Sequence, residues 1–574
     1  MQDNPKNFRP ANHKALVERF RPYNGSYDYD VALNIEGHSR TKLKSGVETF
    51  TGEWTDAARM HLLKRTMFGP TKSELRSVQA LGMQETVDLL LTEVPLTDTP
   101  INNYNDPSEG VVDPNTGFGQ SWIEAPYDNE YEGRKILSLK GWIIKNMMQS
   151  PLSMHHKLTF FWHNLLVTQF WDIFQAKASY QYYLLLHQHA FGNFKTLIKE
   201  ITRDPAMLIY LNGARNNKEA PDENYARELQ ELFCIGKGPD SGYTEADVQA
   251  AARVLTGWTV DGSTLWERGK PASGFYPPFH ETANKQFSEF YDQTEIAGKS
   301  GEAGAEELDD LLDMIFNNEE TARYICRRLY NFFVYPEIDE ETEINVIRPL
   351  AQVFRDGNYE IKPVLDSLLK SAHFHDEGNY GVMIKNPIDF LLSTVRTVGN
   401  DFFEGTDLLR EHRTLNSLIY WGSVLGMEIG DPPSVAGWPA YYQTPQFDKS
   451  WITTDSITKR AQLTDMSNYA FYASSTIFYE VDLIRFVSEF ETPEDPNELI
   501  AEASILMHGI PLGEKSVQTL KSILLAGQQE DYHWRFAWND HVTRPDNPTL
   551  RNVVENRLRA TFQALMQQGE FHLM

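Results

Sequence analysis

Cysteine is almost missing from this chain. Only Cys234 and Cys326 occur in 574 residues, which excludes a disulfide framework and a cysteine-rich zinc signature. Each falls inside an expected helix and reads as a buried thiol. No run of 18 apolar residues occurs, so no segment qualifies as a membrane-spanning helix. The opening Met1-Gln-Asp-Asn-Pro-Lys-Asn-Phe-Arg-Pro10 lacks the apolar centre of a signal peptide, and the chain as written reads as soluble and unaddressed. Positive charge is short: 53 Lys and Arg against 80 Asp and Glu leave a net charge of −27. With no long block of one sign, this argues against nucleic acid or an anionic membrane as the main partner. The chain also lacks a Walker phosphate loop, a dinucleotide glycine fingerprint, Gly-x-Ser-x-Gly, His-Glu-x-x-His and any internal repeat.

What is present is helical patterning. Thr55 or Asp56 caps a helix running through Lys64, and Thr71 with Glu74 forms a capping box. Further helices are expected over 132–148, 304–317, 319–333, 340–355 and 361–371, and from 453 onward. The expected fold is mainly α: a large irregular multi-helix array with long aromatic and Pro-rich loops and at most a few short strands. Three parts are expected: an extended arm over 1–53, a helical core over 54–466 and a helical C-terminal subdomain over 467–574 packed on that core. Residues 95–132 read as a solvated loop, because Asp106, Glu109, Asp113 and Asn115 lack the spacing of a calcium loop. Residues 259–302 read as an excursion with two short strands, and His373 and His375 as part of a surface turn.

The chemistry-bearing types concentrate between 151 and 258. Residues 151–171 have no Gly and no Pro after the first position and read as one helix, apolar nearly all round and therefore buried. His156 and His163 point to the same side of it but lie seven residues apart, too far to share a metal ion alone. Each is a core histidine unless another segment brings a carboxylate to His163. A candidate is Glu228, in a helix capped by Asp222 and stopped by Gly236, whose outer face carries Glu223, Arg227 and Gln230. Glu228 sits at the edge of the apolar stripe, where partial desolvation raises a carboxyl toward acid/base use; the plainer reading is a salt-bridged surface helix. The next helix starts with Thr244 and Asp247 and carries Arg253, a partner for a buried carboxylate or an anionic ligand.

Several of these motifs carry a resemblance: His61-Leu-Leu-Lys-Arg-Thr-Met-Phe-Gly-Pro-Thr71, Phe161-Trp-His-Asn164, Gly192-Asn-Phe194, Asp204-Pro-Ala-Met-Leu208, Glu223-Asn-Tyr-Ala-Arg-Glu228 and Tyr243-Thr-Glu-Ala-Asp247. Arg253-Val-Leu-Thr-Gly-Trp258, Phe279-His280, Lys385-Asn-Pro387, Asp431-Pro-Pro-Ser-Val-Ala-Gly-Trp-Pro439 and Gly569-Glu-Phe-His-Leu573 continue it. In order and spacing they resemble the bacterial domain-of-unknown-function 1800 family, over roughly residue 54 to the end. The resemblance implies a mostly helical protein, often exported, commonly found beside a sulfatase-like family, with no agreed activity. Glu281 departs from the Asp that tends to follow His280 in that family.

Two functions follow as expectations. In the first, His163, Glu228, Arg253 and His280 form the pocket of an enzyme acting on an exported or cell-surface substrate. Glu228 is the acid/base, Arg253 orients it or holds an anion, and the histidines relay protons or bind a divalent metal. Trp258, Trp438, Tyr441 and Trp451 then line the substrate cleft. In the second, the chain is a binding or assembly protein that docks a sulfatase-like partner or a surface polymer through its aromatic loops.

Overall fold

The computed structural model of the chain describes residues 43, 45–399, 402–403, 407–443, 447–474 and 476–574. Thr55 starts the helical body by accepting the Ala58 N–H at the head of α1 (Asp56–Thr66). The Thr71–Glu74 capping box closes in both directions. The following helices are α2 (Glu132–Met148), α3 (His155–Leu165), α4 (Phe170–Ile173), α5 (Ala176–Gln188), α6 (Pro205–Tyr210), α7 (Asn224–Glu228) and α8 (Glu245–Val254). Beyond an irregular excursion lie α9 (Glu307–Asn317), α10 (Glu319–Phe333), α11 (Pro387–Arg396), α12 (Leu408–Val424), α13 (Thr454–Tyr469), α14 (Pro496–His508) and α15 (Pro548–Met566). The fold is mainly α, as the hydrophobic periodicity requires. Among the described residues the sheets are three two-stranded antiparallel pairs, Trp258–Val260 with Ser273–Phe275, Lys285–Gln286 with Glu295–Ile296, and Ala470–Tyr472 with Phe478–Glu480. The excursion thus holds two hairpins where two strands are expected.

Helix α2 lies along α12, α3 against α5, and α7 against α8. A continuous apolar cluster runs from Met60 to Phe571 and includes Leu558 and Phe562 of α15. Every residue of α3 is buried, which is where a helix apolar all round has to be.

Four expectations need correction. The single helix over 151–171 breaks after Leu165. The Tyr182 hydroxyl donates to the Leu166 carbonyl at 2.7 Å, and the Phe170 N–H turns outward to the Gly430 carbonyl at 3.1 Å. Tertiary hydrogen bonds therefore take over from helical ones there. The helix over 222–236 is α7 followed by a π-helical turn, Leu229–Cys234. The wider turn shifts the helical phase, so Gln230, expected outside, is fully buried and accepts from the Tyr291 hydroxyl at 2.8 Å. Residues 95–132 are packed rather than solvated: Tyr104 donates to Asp113 at 2.7 Å, Arg413 pairs with Asp106 at 2.6 Å, and Trp122 is buried. His373 and His375 are also buried, because residues 46–50 pair alongside 370–373 through Phe50 N–H to Lys370 O at 2.8 Å and Ala372 N–H to Glu48 O at 2.6 Å. Most of the arm expected over 1–53, namely 1–42 and 44, lies outside the described residues.

The capping box of α8 provides a local check. Thr244 accepts the Asp247 N–H, and Asp247 accepts the Thr244 N–H at 2.6 Å. Thr244→Ala removes the hydroxyl cap and is expected to cost about 1 kcal/mol in urea unfolding. An unchanged midpoint would mean that the cap adds nothing to α8.

Candidate functional site

Glu228 ends α7, immediately before the π-helical turn, and is 9% exposed. Its Oε2 is buried without a hydrogen-bond partner. Burial, helped by the nearby charge of Glu231 and opposed by Lys237 and Arg227, pushes its carboxyl from 4.5 to about 7. The neighbouring charges are engaged elsewhere: Arg227 with Glu223 at 3.0 Å and Glu245 at 2.7 Å, and Lys237 with Glu231. The salt-bridged surface helix of the plainer reading is therefore present, with Glu228 on its inner side and outside the bridges. Half-buried Tyr210 and Tyr243 both lie close enough to feel its charge.

His163 lies in α3 with its Nε2 buried and without a partner. Its ring lies 5.4 Å from Phe170, 6.5 Å from Tyr182 and 6.4 Å from Tyr183, whose hydroxyl is also buried and unpartnered. Burial and the Lys140 ammonium lower the imidazole to about 4, so it is neutral at physiological pH. Lys140 is fully buried and holds Glu428 and Asp431, each at 2.5 Å, beneath the Trp171 ring. The Trp171 N–H donates to Asp431 at 2.9 Å, so the loop that follows α12 is fastened to the start of α4.

Tyr210, at the end of α6, lies within electrostatic reach of both Glu228 and the Lys140-bound Asp431. Burial raises its phenol, and Asp172, Asp431 and Glu228 all add to that shift. Negative charge from α4, from the loop after α12 and from α7 thus reaches one half-buried phenol.

The other expected residues sit in networks of their own. Arg253 donates to Glu281 at 2.7 Å and to the Asn284 carbonyl at 2.8 Å. His280 is buried; its Nδ1 lies 2.9 Å from the Thr256 carbonyl, and its Nε2 meets Glu307 at 3.0 Å. Glu307, also buried, accepts from Lys285 at 2.5 Å and from the Lys299 N–H at 2.6 Å. Burial alone would raise the Glu307 carboxyl, but these donors outweigh it and hold it below the usual carboxylate value. Arg253 and His280 are thus neighbours through Thr256 and Glu281. Among the described residues no hydrogen bond or ion pair joins any of His163, Glu228, Arg253 and His280 to another.

Trp258 meets Phe275 edge to face across the first hairpin. Trp451 is buried and packs on Trp438 and Tyr441, with ring centroids 6.2 and 5.7 Å away. Tyr441 also packs on Phe332, 5.2 Å away, and its phenol bonds Asn386. Among the described residues no group of three His, Cys, Asp or Glu side chains is arranged to hold a metal ion, so no step is assigned to one.

Sequence reasoning missed Lys140, Asp172, Tyr210 and Glu307. Lys140 was the most legible of them, since a lysine between Leu139 and Gly141-Trp142 lies on a face otherwise made for burial. Tyr210 and Glu307 carry no local mark; each acquires its surroundings from segments distant in sequence.

Residues 61–573 match a family described as a protein of unknown function (DUF1800). No curated protein and no solved structure matches the chain. The ends of the matched region lie inside the fold: His61 is bonded to the Phe374 carbonyl at 3.0 Å, and the Lys385 N–H to the His572 carbonyl at 2.9 Å. Spanning nearly its whole length and including both ends of the packed body, the match makes this chain a member of the DUF1800 family.

Proposed function

We propose that this protein is an acid–base enzyme in which Glu228 exchanges the proton and the neutral His163 imidazole and the Tyr210 hydroxyl supply polar contacts. One observation carries the reading: a carboxyl poised near 7, with an unpartnered buried oxygen, at the head of a π-helical turn. A general acid or base works best with a pKa near the working pH, and π-turns recur at functional sites. Arg253 and His280 position the 253–285 segment rather than meet substrate in this reading. The family resemblance points to an exported or cell-surface substrate.

The test is a panel of model esters, phosphoesters and glycosides. Turnover is expected with a pH–rate inflection near 7 and a loss of about 100-fold or more in Glu228→Gln. Turnover that survives this substitution would sink the assignment. Stability supplies a check independent of substrate. A carboxyl whose folded value lies above its unfolded 4.5 contributes fully below pH 4.5 and loses that contribution as pH rises through about 7. Relative to Glu228→Gln, the wild type is therefore expected to lose urea resistance across that window. Parallel pH profiles would show that Glu228 titrates normally.

The binding reading is supported by an exposed aromatic set on the 259–302 excursion. Trp266, Tyr276 and Phe279 are 54%, 48% and 45% exposed, whereas in the Trp438, Tyr441 and Trp451 cluster Trp451 is buried and the other two rings are partly buried against the core. A triple Ala variant that keeps the pH–rate profile but no longer retains a surface polymer would favour that second role.

A further inference from the structure

A second cluster of titratable groups lies away from Glu228, where α1, α11, α13 and α14 meet the 569–573 segment. Lys64, Lys385 and Arg460 are 6%, 3% and 0% exposed. Among the described residues none of the three forms an ion pair. The Lys64 ammonium donates to the Met507 carbonyl at 2.6 Å, and the Lys385 ammonium to the Phe571 carbonyl at 2.7 Å. An ammonium carries three protons, so each has two more to give. Arg460 lies over the Phe390 ring and spends Nη2 on the Lys385 carbonyl at 2.8 Å, while its Nε and Nη1 are buried without partners.

The nearest carboxylate, Asp389, is already committed. Lys157 holds one of its oxygens and Asn386 donates to the other at 2.5 Å, so that pair is neutral as a unit. His508 and His572 stand close by but contribute no negative charge. Three buried cations with only carbonyl acceptors are costly unless they are neutralised or given a counter-ion. Between Lys64 and Lys385 lies a cavity of about 10 Å³, also lined by Asp389, Ser393, Thr397 and Met507. That is room for one water or one monatomic ion, and too little for phosphate or a carboxylate. The Ser393 and Thr397 hydroxyls donate to the Phe390 and Pro70 carbonyls at 3.2 and 3.4 Å, leaving the two ammoniums as the free donors on the wall.

We propose that this cavity is a structural site for a single halide ion, chloride in ordinary buffers, held between the Lys64 and Lys385 ammoniums in the field of Arg460. Without such an ion, burial, against the attraction of Asp389 and with repulsion from Arg460 and Lys157, drives Lys385 down to about 7, and burial with the charges of Lys385 and Arg65 holds Lys64 well below its usual value. A bound anion reverses both tendencies and keeps the two lysines charged.

Crystals of the full chain soaked in sodium bromide test this at the bromine absorption edge. The expected result is one anomalous peak within hydrogen-bonding distance of both Nζ atoms, absent in Lys385→Met. No peak in the wild-type cavity, or a peak that persists in Lys385→Met, overturns the proposal. In case that variant does not fold, wild-type thermal unfolding is compared in sodium chloride and sodium gluconate at equal ionic strength. Gluconate is too large for the cavity, so a lower Tm is expected there; equal Tm values count against the site.

Discussion

Replacing Glu307 with alanine is expected to destabilise the protein by about 3–5 kcal/mol, the usual cost of removing one member of a buried charge pair. The carboxylate serves three donors at once: the His280 ring, the Lys285 ammonium and the Lys299 N–H. Lys285 and Glu307 are both fully buried, so the alanine leaves an ammonium with only the Glu281 carbonyl at 2.5 Å. Glu307→Gln should fall between the two, since it keeps an acceptor oxygen but not the charge. The pH dependence has a definite sign. Because the folded carboxyl lies below its ordinary 4.5, its contribution is complete above that pH and is lost as pH falls through the depressed value. Urea unfolding of wild type, Glu307→Ala and Glu307→Gln at neutral pH checks the order. A loss below about 1 kcal/mol for the alanine would fit only an exposed pair.

The same network explains what the sequence could and could not disclose. His280 was legible as a fixed histidine, because Pro277 and Pro278 leave its segment little freedom. Its partner was not, because Glu307 is an ordinary first-turn helix acid that becomes special only where the excursion folds back onto α9. Helix α10 matches its expected limits, 319–333, since both its cap and its apolar stripe are local. By contrast, the break after Leu165 depends on Tyr182 and Gly430, and the π-helical turn after Glu228 on Tyr291, so no window of nearby residues contains either. At the candidate site the edge position of Glu228 was readable from periodicity. A raised pKa follows from partial desolvation at that edge, but that Arg227 and Lys237 are engaged elsewhere does not follow from any local pattern. The exposure of the aromatic loops is equally non-local. Aromatic content alone does not say which rings face water: Trp451 is buried and Trp438 partly so, while Trp266 is exposed.

The second large effect is expected at Gly437, in the Pro-rich loop that carries Asp431. Its φ is +85°, and a Cβ built there would lie 2.4 Å from the Asn164 carbonyl oxygen at the end of α3. Both objections to a side chain therefore apply: left-handed strain of about 1–3 kcal/mol and an overpacking cost of similar size. Gly437→Ala is expected to lose about 2–6 kcal/mol in all. Gly527 is the matched control, since its φ is +77° with nothing within 4 Å of a built Cβ, so Gly527→Ala reports the strain alone. The difference between the two variants measures the close approach of loop and helix. The displaced loop also carries Asp431 away from Lys140 and Tyr210, which removes a negative charge from the neighbourhood that Tyr210 shares with Glu228. Urea unfolding of both variants, paired with the pH profile of Glu228, separates the consequences. Equal losses for Gly437→Ala and Gly527→Ala would mean that the loop yields without overpacking, and that the end of α3 does not fix Asp431 beside the candidate site.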